Sequence, residues 1–502
     1  MNSITDLLEY AAANFGQRTA FSDKDGEITF ACLKNKSQTI AAALLNKTQT
    51  GRTKPIMVYL EKSIKSIVSF MGIAYASSPY VPVDYLIPIN RLEKTAENLK
   101  PAAIITDIGG AENLKNLNID TEIIIYDEII NTNYDTAPIE KSVSHICDLD
   151  PAYIMYTSGS TGAPKGVTIT HRGVIDYINW IIDTFPVDSG SIIGMQSAFH
   201  FDNSVFDMFV PMLTGAKTVI IPEILFMYPE KLMEFLKQSE ISVIFWVPTV
   251  MISAADSGIL KLPHMKLILF AGEVMPNKQL NVWRKSLPDC TYVNMYGPTE
   301  ATDIATYYIV DREYENHETL PIGKPCANMR ALILNEKNEE CKIGEQGELC
   351  LSGSAIALGY WNAPELTEKV FVQNPLNKKY DETIYRTGDL VYLNDEGNII
   401  FLGRRDSQIK LRGNRIELGD IESAASAIDG IRNSCAMFDE KNQEIILLLE
   451  TSEEIKERKF KLLLKQYIPS YMTPSKIMAM KEFPHTASGK IDRVYLRKEF
   501  LS

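Results

Sequence analysis

The chain has 502 residues, of which 45% are hydrophobic and 23% are charged, and its formal net charge is -13. This length allows two or more domains with a large buried core, and the composition is that of an ordinary globular protein. The negative charge argues against nucleic acid as the main partner, because an acidic protein repels a polyanion. No uncharged apolar run is long enough to cross a membrane, so we expect no membrane insertion.

The cysteines and the N-terminal segment both favour a cytoplasmic location. The seven cysteines are scattered without a CxxC pair, which is typical of reduced thiols. Residues 1–17 contain Asp6 and Glu9 and lack a basic segment followed by an apolar block, so they do not resemble a secretory signal. We therefore expect a cytoplasmic protein.

The N-terminal part of the chain alternates between predicted helices and predicted buried strands. It opens with an amphipathic helix over residues 3–14. The following strands are predicted at 56–60, 103–106, 122–126, 217–221, 242–247 and 266–270, and the helices at 63–76, 229–238 and 277–286. Strands that alternate with helices predict parallel βαβ units in sheets covered on both faces, so the fold class is α/β.

The pattern changes twice towards the C-terminus. Short alternating segments predict an antiparallel or β-barrel-like subdomain over about residues 328–405, with strands at 330–334, 347–352, 390–393 and 398–401. Segments 422–427, 444–450 and 453–466 predict a small α+β domain. The expected organisation is a large N-terminal domain of parallel α/β sheets with this β-rich subdomain, residues 1–405, and a small α+β C-terminal domain, residues 406–502.

A turn rich in glycine and hydroxyl groups lies between two short apolar segments, 152–155 and 167–170. The turn contains Thr157, Ser158, Gly159, Ser160, Thr161, Gly162 and Lys165. Glycines let backbone N–H groups approach an anion, hydroxyls donate hydrogen bonds, and the lysine adds positive charge, so the turn suits phosphate. A Ser/Gly run is also typical of a linker. The Walker pattern is excluded, because Pro164 stands where that pattern needs glycine.

Taken with later segments, this turn resembles the phosphate loop of the adenylate-forming superfamily, which includes peptide-synthetase adenylation domains, acyl-CoA synthetases and luciferases. The other matching segments fall in the family's order: residues 74–84 (AYASSPYVPVD), 201–205 (FDNSV), 294–300 (NMYGPTE), 344–353 (GEQGELCLSG), 385–389 (YRTGD), 403–406 (GRRD) and 484–490 (PHTASGK). Because these segments span nearly the whole chain, chance agreement is negligible. The resemblance implies an ATP-dependent, AMP-forming ligase with a mobile C-terminal domain.

The resemblance also implies which residues bind ATP. Beyond the glycine-rich turn, the nucleotide-binding set is Asn294, Met295, Tyr296, Gly297, Thr299, Asp389, Arg404 and Lys490. Tyr296 would stack on adenine, Thr299 would donate to the α-phosphate, and Asp389 would accept from the ribose hydroxyls. Glu300 would hold Mg²⁺, a hard cation that favours a carboxylate together with phosphate oxygens. In isolation, a Tyr-Gly-Pro segment or a Gly-Asp pair is more typical of a turn.

Three residues are implied to act in catalysis: Lys490, Thr299 and His200. Attack of a carboxylate on the α-phosphorus builds charge on non-bridging oxygens, and a desolvated ammonium stabilises that transition state. The family pattern makes Lys490 this ammonium. His200 matches a position near the reacting carboxylate, although a packed core histidine is the other interpretation. Asp406 matches the hinge about which the C-terminal domain turns.

Asp202 indicates that the activated acid is an amino acid. In family members that activate amino acids, the aspartate at this position pairs with the α-ammonium group. The implied substrate pocket contains Asp202, Asn203, Phe206, Phe245, Leu269, Ala271, Gly272, Met295, Asp303 and Ile304. Its large apolar members favour a small or modest apolar substrate, whereas Asp303 either recognises a polar or cationic group or caps the following segment.

The implied acceptor is the phosphopantetheine thiol of a separate carrier protein, because the chain ends at residue 502, soon after Lys490. A stand-alone adenylation enzyme of the peptide-synthetase type is the first choice. A D-alanine:D-alanyl carrier protein ligase of teichoic acid modification is a second hypothesis, from which Ala271 and Phe206 depart, since such enzymes typically carry cysteine and a smaller residue there. An acyl- or aryl-CoA synthetase is a third hypothesis, and a nucleotide-binding accessory protein without enzymatic activity is a fourth.

Overall fold

The computed structural model describes residues 1–115, 117, 119, 121–157, 164–405, 408–453, 455–484 and 491–501. They form two compact units. The first comprises Met1–Tyr85, Leu99–Tyr156 and Gly166–Arg405, and the second comprises the described residues of 86–98, 157–165 and 406–502. The predicted domain boundary also falls after Arg405, whereas 86–98 and 157–165 were expected with the N-terminal domain. The division into functional domains therefore stays a prediction.

The helices and strands are numbered in chain order. The helices are α1 Ile4–Phe15, α2 Phe30–Lys47, α3 Ile64–Tyr75, α4 Ile89–Leu99, α5 Ile108–Leu114, α6 Tyr126–Ile129, α7 Ala137–Val143, α8 His171–Thr184, α9 Ser204–Thr214, α10 Pro229–Gln238, α11 Pro248–Asp256, α12 Asn277–Ser286, α13 Pro364–Val370, α14 Leu418–Ser426, α15 Glu457–Leu464 and α16 Arg493–Phe500. The strands are β1 Thr19–Asp23, β2 Gly26–Thr29, β3 Ile56–Tyr59, β4 Tyr80–Pro82, β5 Ala103–Thr106, β6 Glu122–Ile125, β7 Pro151–Thr157, β8 Lys165–Thr170, β9 Ile192–Met195, β10 Lys217–Ile220, β11 Val243–Trp246, β12 Leu267–Phe270, β13 Thr291–Tyr296, β14 Thr306–Ile309, β15 Lys324–Pro325, β16 Met329–Leu334, β17 Gly347–Gly353, β18 Gly359–Tyr360, β19 Phe371–Gln373, β20 Thr383–Leu393, β21 Ile399–Arg404, β22 Gln408–Leu411, β23 Asn414–Glu417, β24 Asn433–Asp439, β25 Glu444–Glu450 and β26 Lys476–Met480.

A nine-stranded sheet in the first unit has the order β15-β14-β13-β12-β11-β9-β10-β1-β2. Strands β13, β12, β11, β9, β10 and β1 pair in parallel, and β2, β14 and β15 join through antiparallel pairs. Strands β11 and β12 (VIFW and LILF) are buried along their whole length, as expected of central parallel strands covered on both faces. Parallel strands end at one edge, so the loops after β9, β11, β12 and β13 are neighbours.

The first unit also contains a seven-stranded sheet of order β18-β8-β7-β4-β3-β5-β6. Strands β7, β4, β3, β5 and β6 pair in parallel, and β18 is antiparallel to β8. Strand β7 ends at Thr157 and β8 begins at Lys165, so these strands frame the glycine-rich turn. Residues 158–163 of that turn lie outside the described residues.

An antiparallel sheet of β16, β17, β20 and β19, with β21 paired to β20, completes the first unit. Buried and more exposed residues alternate along β20, which is the pattern of a strand with one face on the core. This sheet confirms the predicted β-rich texture after residue 328.

The second unit contains the hairpin β22-β23 and the sheet β24-β25-β26, in which β25 and β26 are parallel. Side chains of β25 alternate between two buried clusters. Leu447 and Leu449 pack with Ile421 of α14 and Leu464 of α15, whereas Leu448 packs with the buried Leu496 of α16. The sheet is thus covered on both faces, and the α+β class predicted for this region is confirmed.

The α/β class predicted for the whole chain is confirmed, and most predicted elements differ from the observed ones only at their ends. The bounds agree for the predicted segments 103–106, 229–238, 277–286 and 444–450. Residues 201–203, in the segment 201–205 that resembles the adenylate-forming superfamily, form a turn closed by hydrogen bonds from Ser204 N to Phe201 O (3.1 Å) and from Val205 N to Asp202 O (2.9 Å). Helix α9 begins after this turn, at Ser204.

Candidate active site

Neighbouring parallel strands of the nine-stranded sheet end at the candidate site. Strand β9 ends at Met195, β11 at Trp246, β12 at Phe270 and β13 at Tyr296. Ligands of open parallel α/β sheets bind beyond the carboxyl ends of the strands. The predicted site residues that follow these ends are His200, Asp202, Asn203, Ala271, Gly272, Gly297, Thr299, Glu300, Asp303 and Ile304.

The apolar residues predicted to line the substrate pocket belong to one buried cluster. Phe206 of α9 contacts Phe245 of β11 edge to face, with ring centroids 5.6 Å apart. Phe245 is the cross-strand neighbour of Leu269 on β12. Met295, Ala271 and Ile304 are buried in the same cluster. The fold therefore assembles these residues from four separate segments, and their contact with a substrate stays a prediction.

Asn203 and Gly272 are the next two residues of the predicted pocket. Asn203 directly precedes α9, and its buried Nδ2 atom has no hydrogen-bond partner in the described part of the chain. Gly272, just beyond β12, has a φ of 94°, a left-handed conformation that favours glycine.

Asp303 lies in a left-handed turn beside α8. The preceding Thr302 has a φ of 52° and Asp303 a φ of 73°, and Asp303 is only 3% exposed. Tyr177 of α8 donates a hydrogen bond of 2.7 Å to Asp303 Oδ2. Burial raises the pKa of Asp303 well above its usual value, and the nearby carboxylate of Asp202 acts in the same direction. The carboxylate accepts from Tyr177, and the choice between recognition of a polar group and capping of the following segment stays a prediction.

The residues predicted to hold adenine and ribose contact each other directly. Tyr296 donates its hydroxyl hydrogen to Asp389 Oδ2, and Arg404 Nη1 lies 2.7 Å from Asp389 Oδ1. Asp389 is 4% exposed, so its charge is neutralised inside the protein by the guanidinium of Arg404. Asn294, earlier on β13, donates from Nδ2 to the carbonyl oxygen of Pro321 at 2.7 Å. That bond anchors the strand that carries Tyr296.

Glu300 is fully buried in a short turn of 3₁₀ helix, Thr299–Ala301. Tyr360 of β18 donates a hydrogen bond of 2.7 Å to Glu300 Oε1.

Gly297 lies where the backbone of the following segment passes close by, because a Cβ atom there would be 2.0 Å from the carbonyl oxygen of Asp303. The turn therefore tolerates little change in its backbone.

A group of ionisable residues that the sequence analysis did not identify lies around α9. Lys62, in the loop after β3, donates from Nζ to the carbonyl oxygen of Gln196 at 2.8 Å. Burial lowers the pKa of Lys62 to about 8, and the nearby Asp207 of α9 opposes this shift. Asp207 is 0% exposed, and its carboxylate has no hydrogen-bond partner in the described chain. Burial also raises the pKa of Asp207.

His200 lies next to this group. Desolvation lowers the pKa of His200, the Lys62 ammonium acts in the same direction, and Asp84 opposes both. The imidazole is therefore held neutral at neutral pH. Lys62 is separated from the end of β3 by Leu60 and Glu61, so its position in the sequence gave no signal of this role.

Other predicted residues lie outside the described part of the chain. These are Ser158, Gly159, Ser160, Thr161, Gly162, Asp406 and Lys490. Within the described residues, no group of three or more His, Cys, Asp or Glu side chains is arranged to hold a metal ion. The described helices include none that is long and apolar enough to cross a membrane.

The fold is that of the adenylation-domain class of proteins. The NpsA-ThdA adenylation-PCP di-domain from Klebsiella oxytoca matches with a TM-score of 0.82 over 95% of this chain and 93% of that chain, at 21% identity. A match at this identity establishes the fold alone.

The sequence comparisons establish the family. The AMP-binding enzyme family model matches residues 8–361. A D-alanine--D-alanyl carrier protein ligase of Bacillus cereus is 32% identical over 99% of both chains. A mycosubtilin synthase protein of Bacillus subtilis is 32% identical over 98% of this chain and 19% of that protein. This chain belongs to the AMP-binding enzyme family, which confirms the predicted superfamily and the class of ATP-dependent, AMP-forming ligase.

Proposed function

We propose that this enzyme joins an amino acid to AMP and then transfers the aminoacyl group to the phosphopantetheine thiol of a separate carrier protein. The amino acid carboxylate attacks the α-phosphorus of ATP and displaces pyrophosphate. The thiol then attacks the acyl carbon and displaces AMP. The match to a carrier protein ligase along the full length of both chains supports this reaction.

The amino acid assignment rests on the acidic surroundings of α9. Asp202 lies in the turn that leads into this helix, and both Asp207 and Asp303 are buried nearby. A site with several carboxylates suits a ligand with an ammonium group and disfavours a simple carboxylic acid. In this proposal Asp202 pairs with the substrate α-ammonium group, and the neutral His200 lies near the reacting carboxylate.

For the nucleotide, we assign adenine to Tyr296 with Asn294, Met295 and Gly297, and the ribose to Asp389. Arg404 Nη1 lies 2.7 Å from Asp389 Oδ1 and orients the carboxylate, whose oxygens can accept hydrogen bonds from ribose hydroxyls. Thr299, Thr157, Lys165 and the turn between β7 and β8 are assigned to the phosphates. These groups supply hydrogen-bond donors and positive charge where the triphosphate carries negative charge.

Glu300 is the proposed ligand of Mg²⁺. Its carboxylate oxygens are hard donors, which fits Mg²⁺, and one carboxylate with phosphate oxygens and water is a usual ligand set. Bound Mg²⁺ supplies charge neutralisation at the phosphate oxygens. The hydrogen bond from Tyr360 fixes the orientation of the carboxylate.

The C-terminal part of the chain is proposed to supply the catalytic ammonium and to move between the two half-reactions. Lys490 would stabilise the charge that develops on the α-phosphate oxygens, with Asp406 as the hinge. The cytoplasmic location predicted from the cysteines belongs to this proposal and is tested by cell fractionation.

A D-alanine:D-alanyl carrier protein ligase is a second candidate, favoured by the 32% identity over 99% of such a chain. Ala271 and the fully buried Phe206 still differ from the cysteine and smaller residue expected of those enzymes. Activity with D-alanine and with no other amino acid would favour this candidate over a peptide-synthetase-type adenylation enzyme.

The test is pyrophosphate exchange with the full chain, ATP and Mg²⁺ across L- and D-amino acids, β-amino acids and simple carboxylic acids. We expect exchange with at least one amino acid and none with simple carboxylic acids. A second assay offers the activated acid either a phosphopantetheinylated carrier protein or free CoA. Exchange with fatty or aryl acids and thioester formation on CoA would contradict the proposal in favour of a CoA synthetase. ATP binding without any exchange would indicate an accessory protein.

A further inference from the structure

Lys62 links the two large sheets of the first unit at the point where the chain leads to two of the predicted site residues. It lies in the loop between β3 of the seven-stranded sheet and helix α3. Its Nζ atom donates to the carbonyl oxygens of Met195 (3.4 Å) and Gln196 (2.8 Å), at the end of β9 of the nine-stranded sheet. From there the chain continues to His200 and Asp202.

Residues 196–203, which we call the substrate segment, lie between β9 and α9 and belong to no strand or helix. Their backbone therefore lacks the regular hydrogen bonds that fix a residue in a sheet or a helix. Within the described residues, Lys62 is the only donor to the carbonyl oxygen of Gln196. A hydrogen bond from an ammonium group is charge-assisted and stronger than a neutral one. The conformation at the start of the substrate segment therefore depends on Lys62.

The loop that carries Lys62 is itself fixed. Ser66 Oγ donates to the carbonyl oxygen of Glu61 at 2.7 Å, and the backbone N–H of Ile64 donates to Asp23 Oδ2 at 2.9 Å. Asp23 ends β1 of the nine-stranded sheet, so the start of α3 is attached to the same sheet as β9. A side chain on a fixed backbone can hold another segment in a defined position.

Helix α3 makes a second contact with the substrate segment. Phe70 of α3 packs edge to face on Phe199, with ring centroids 5.2 Å apart. Phe199 is buried, and its carbonyl oxygen accepts from Ser204 Oγ at 3.3 Å. The substrate segment is therefore held at its start by the ammonium group of Lys62 and in its middle by an aromatic ring, directly before His200.

The charge of Lys62 also reaches both sides of the substrate segment. Burial lowers the pKa of Lys62 to about 8, and the carboxylates of Asp207 on α9 and of Glu223 oppose this shift. Burial likewise lowers the pKa of His200, where Asp84 opposes the shift and Lys62 adds to it. Lys62 is thus within electrostatic range both of His200 and of the helix that follows the segment.

We propose that Lys62 is a positioning residue for amino acid activation, whose ammonium group holds the substrate segment so that His200 and Asp202 face the substrate. This inference rests on the proposed function, which assigns the reacting carboxylate to His200 and the α-ammonium group to Asp202. In this role Lys62 contacts the protein backbone and not the reacting atoms. Tyr296 and Asp389, assigned to the nucleotide, lie on β13 and β20, so loss of the ammonium group should affect amino acid binding more than ATP binding.

The test is pyrophosphate exchange by the full chain carrying Lys62→Met, which keeps most of the side-chain length and removes the ammonium group. The probe is the L- or D-amino acid that gives the highest kcat/KM with the wild type. We expect its KM to rise by roughly 10- to 100-fold, the worth of a hydrogen bond to a charged group, while the KM for ATP changes by less than about 3-fold. A purely structural role would lower the active fraction, and thus kcat, without separating the two KM values.

Lys65→Met is the matched control. Lys65 lies on the same helix and forms an exposed ion pair with Asp127 at 2.8 Å. It makes no recorded contact with the substrate segment within the described residues, so the variant should keep both KM values.

A second comparison applies if Lys62→Met does not fold because the buried carboxylate of Asp207 loses its nearby cation. Asp207→Asn is then compared with Lys62→Met/Asp207→Asn, and the double variant should have the higher KM for the amino acid. An unchanged KM for the amino acid on loss of Lys62, or equal rises in both KM values, would overturn this inference alone. Silence of the wild type with every acid would overturn the proposed function and this inference with it.

Discussion

Tyr360 donates a hydrogen bond of 2.7 Å to Glu300 Oε1, although the two residues are 60 positions apart. Glu300 is the proposed Mg²⁺ ligand, and a fixed carboxylate binds a metal ion better than a freely rotating one. We therefore expect Tyr360→Phe to raise the Mg²⁺ concentration needed for half-maximal pyrophosphate exchange by roughly 10-fold. Tyr314→Phe, which removes a hydroxyl bound to Tyr308, is the control. An unchanged Mg²⁺ requirement in Tyr360→Phe would count against Glu300 as the ligand.

The ion pair between Arg404 and Asp389 is mostly buried, with exposed side-chain fractions of 14% and 5%. Removal of one partner leaves a buried charge, so Arg404→Met should lower the free energy of unfolding by about 3 kcal/mol. It should also raise the KM for ATP, because Asp389 loses the partner that orients its carboxylate.

Arg330→Met is the matched control, because Arg330 pairs with Glu382 at 3.4 Å with an exposed side-chain fraction of 70%. Exposed pairs contribute at most about 1 kcal/mol. The free energy of unfolding in urea and the KM for ATP are measured for both variants. Equal decreases in the free energy of unfolding would mean that the buried Arg404–Asp389 pair stabilises the protein no more than the exposed Arg330–Glu382 pair.

Lys62 should make stability depend on pH. Burial lowers its pKa from 10.5 to about 8 in the folded protein, so the unfolded chain binds more protons between these values. Stability rises with pH wherever the unfolded state binds more protons. The contribution of Lys62 to the free energy of unfolding should therefore increase from about pH 8 upward, by at most about 1.4 kcal/mol per pH unit.

Lys62→Met should remove this increase, whereas Lys266→Met, which changes an exposed lysine, should keep it. Urea unfolding at pH 7, 8 and 9 measures the difference between wild type and each variant. A constant difference between wild type and Lys62→Met at all three values would contradict the lowered pKa.

Gly297 is the position where the candidate site tolerates an added methyl group least. A Cβ atom there would lie 2.0 Å from the carbonyl oxygen of Asp303 and 2.7 Å from Ile304 Cα, and neither backbone atom can move cheaply. Gly297→Ala should lower the free energy of unfolding by about 1–3 kcal/mol and raise the KM for ATP. At Gly190 the nearest atom, Asp188 Oδ1, is 3.4 Å away, so Gly190→Ala is the control. Similar KM values for ATP in the two variants would contradict the assignment of Gly297 to the nucleotide site.

Lys490→Ala should reduce adenylate formation by roughly 100-fold or more, because Lys490 is the proposed ammonium that stabilises the charge developing on the α-phosphate oxygens. The urea unfolding curve should stay that of the wild type. Lys481→Ala changes a nearby exposed lysine and should keep full activity. Near-normal pyrophosphate exchange in Lys490→Ala would refute the assigned role.

The sequence predicted the elements whose signal is local. Strands such as β5 and β25 and helices such as α10 and α12 have the predicted bounds, because continuous apolar runs and helical periodicity follow from which side chains must be buried. The family also followed from the sequence, because the order of its short segments is a linear property of the chain. The turn at residues 201–203 has no counterpart among the predicted elements, because it is closed by hydrogen bonds to Phe201 and Asp202 that leave no periodic pattern in the sequence.

The partners of the site residues were decided by the tertiary structure. Tyr177 lies 126 residues from Asp303, and Tyr296 lies 93 residues from Asp389, so no local pattern joins them. The sequence left the role of Asp303 open between recognition and capping, and only the fold placed its carboxylate against Tyr177. The amino-acid sequence by itself determined which chemical groups are available and in what order. Their burial and pairing, which set charge and reactivity, depend on how parallel strands bring distant segments to one edge of a sheet.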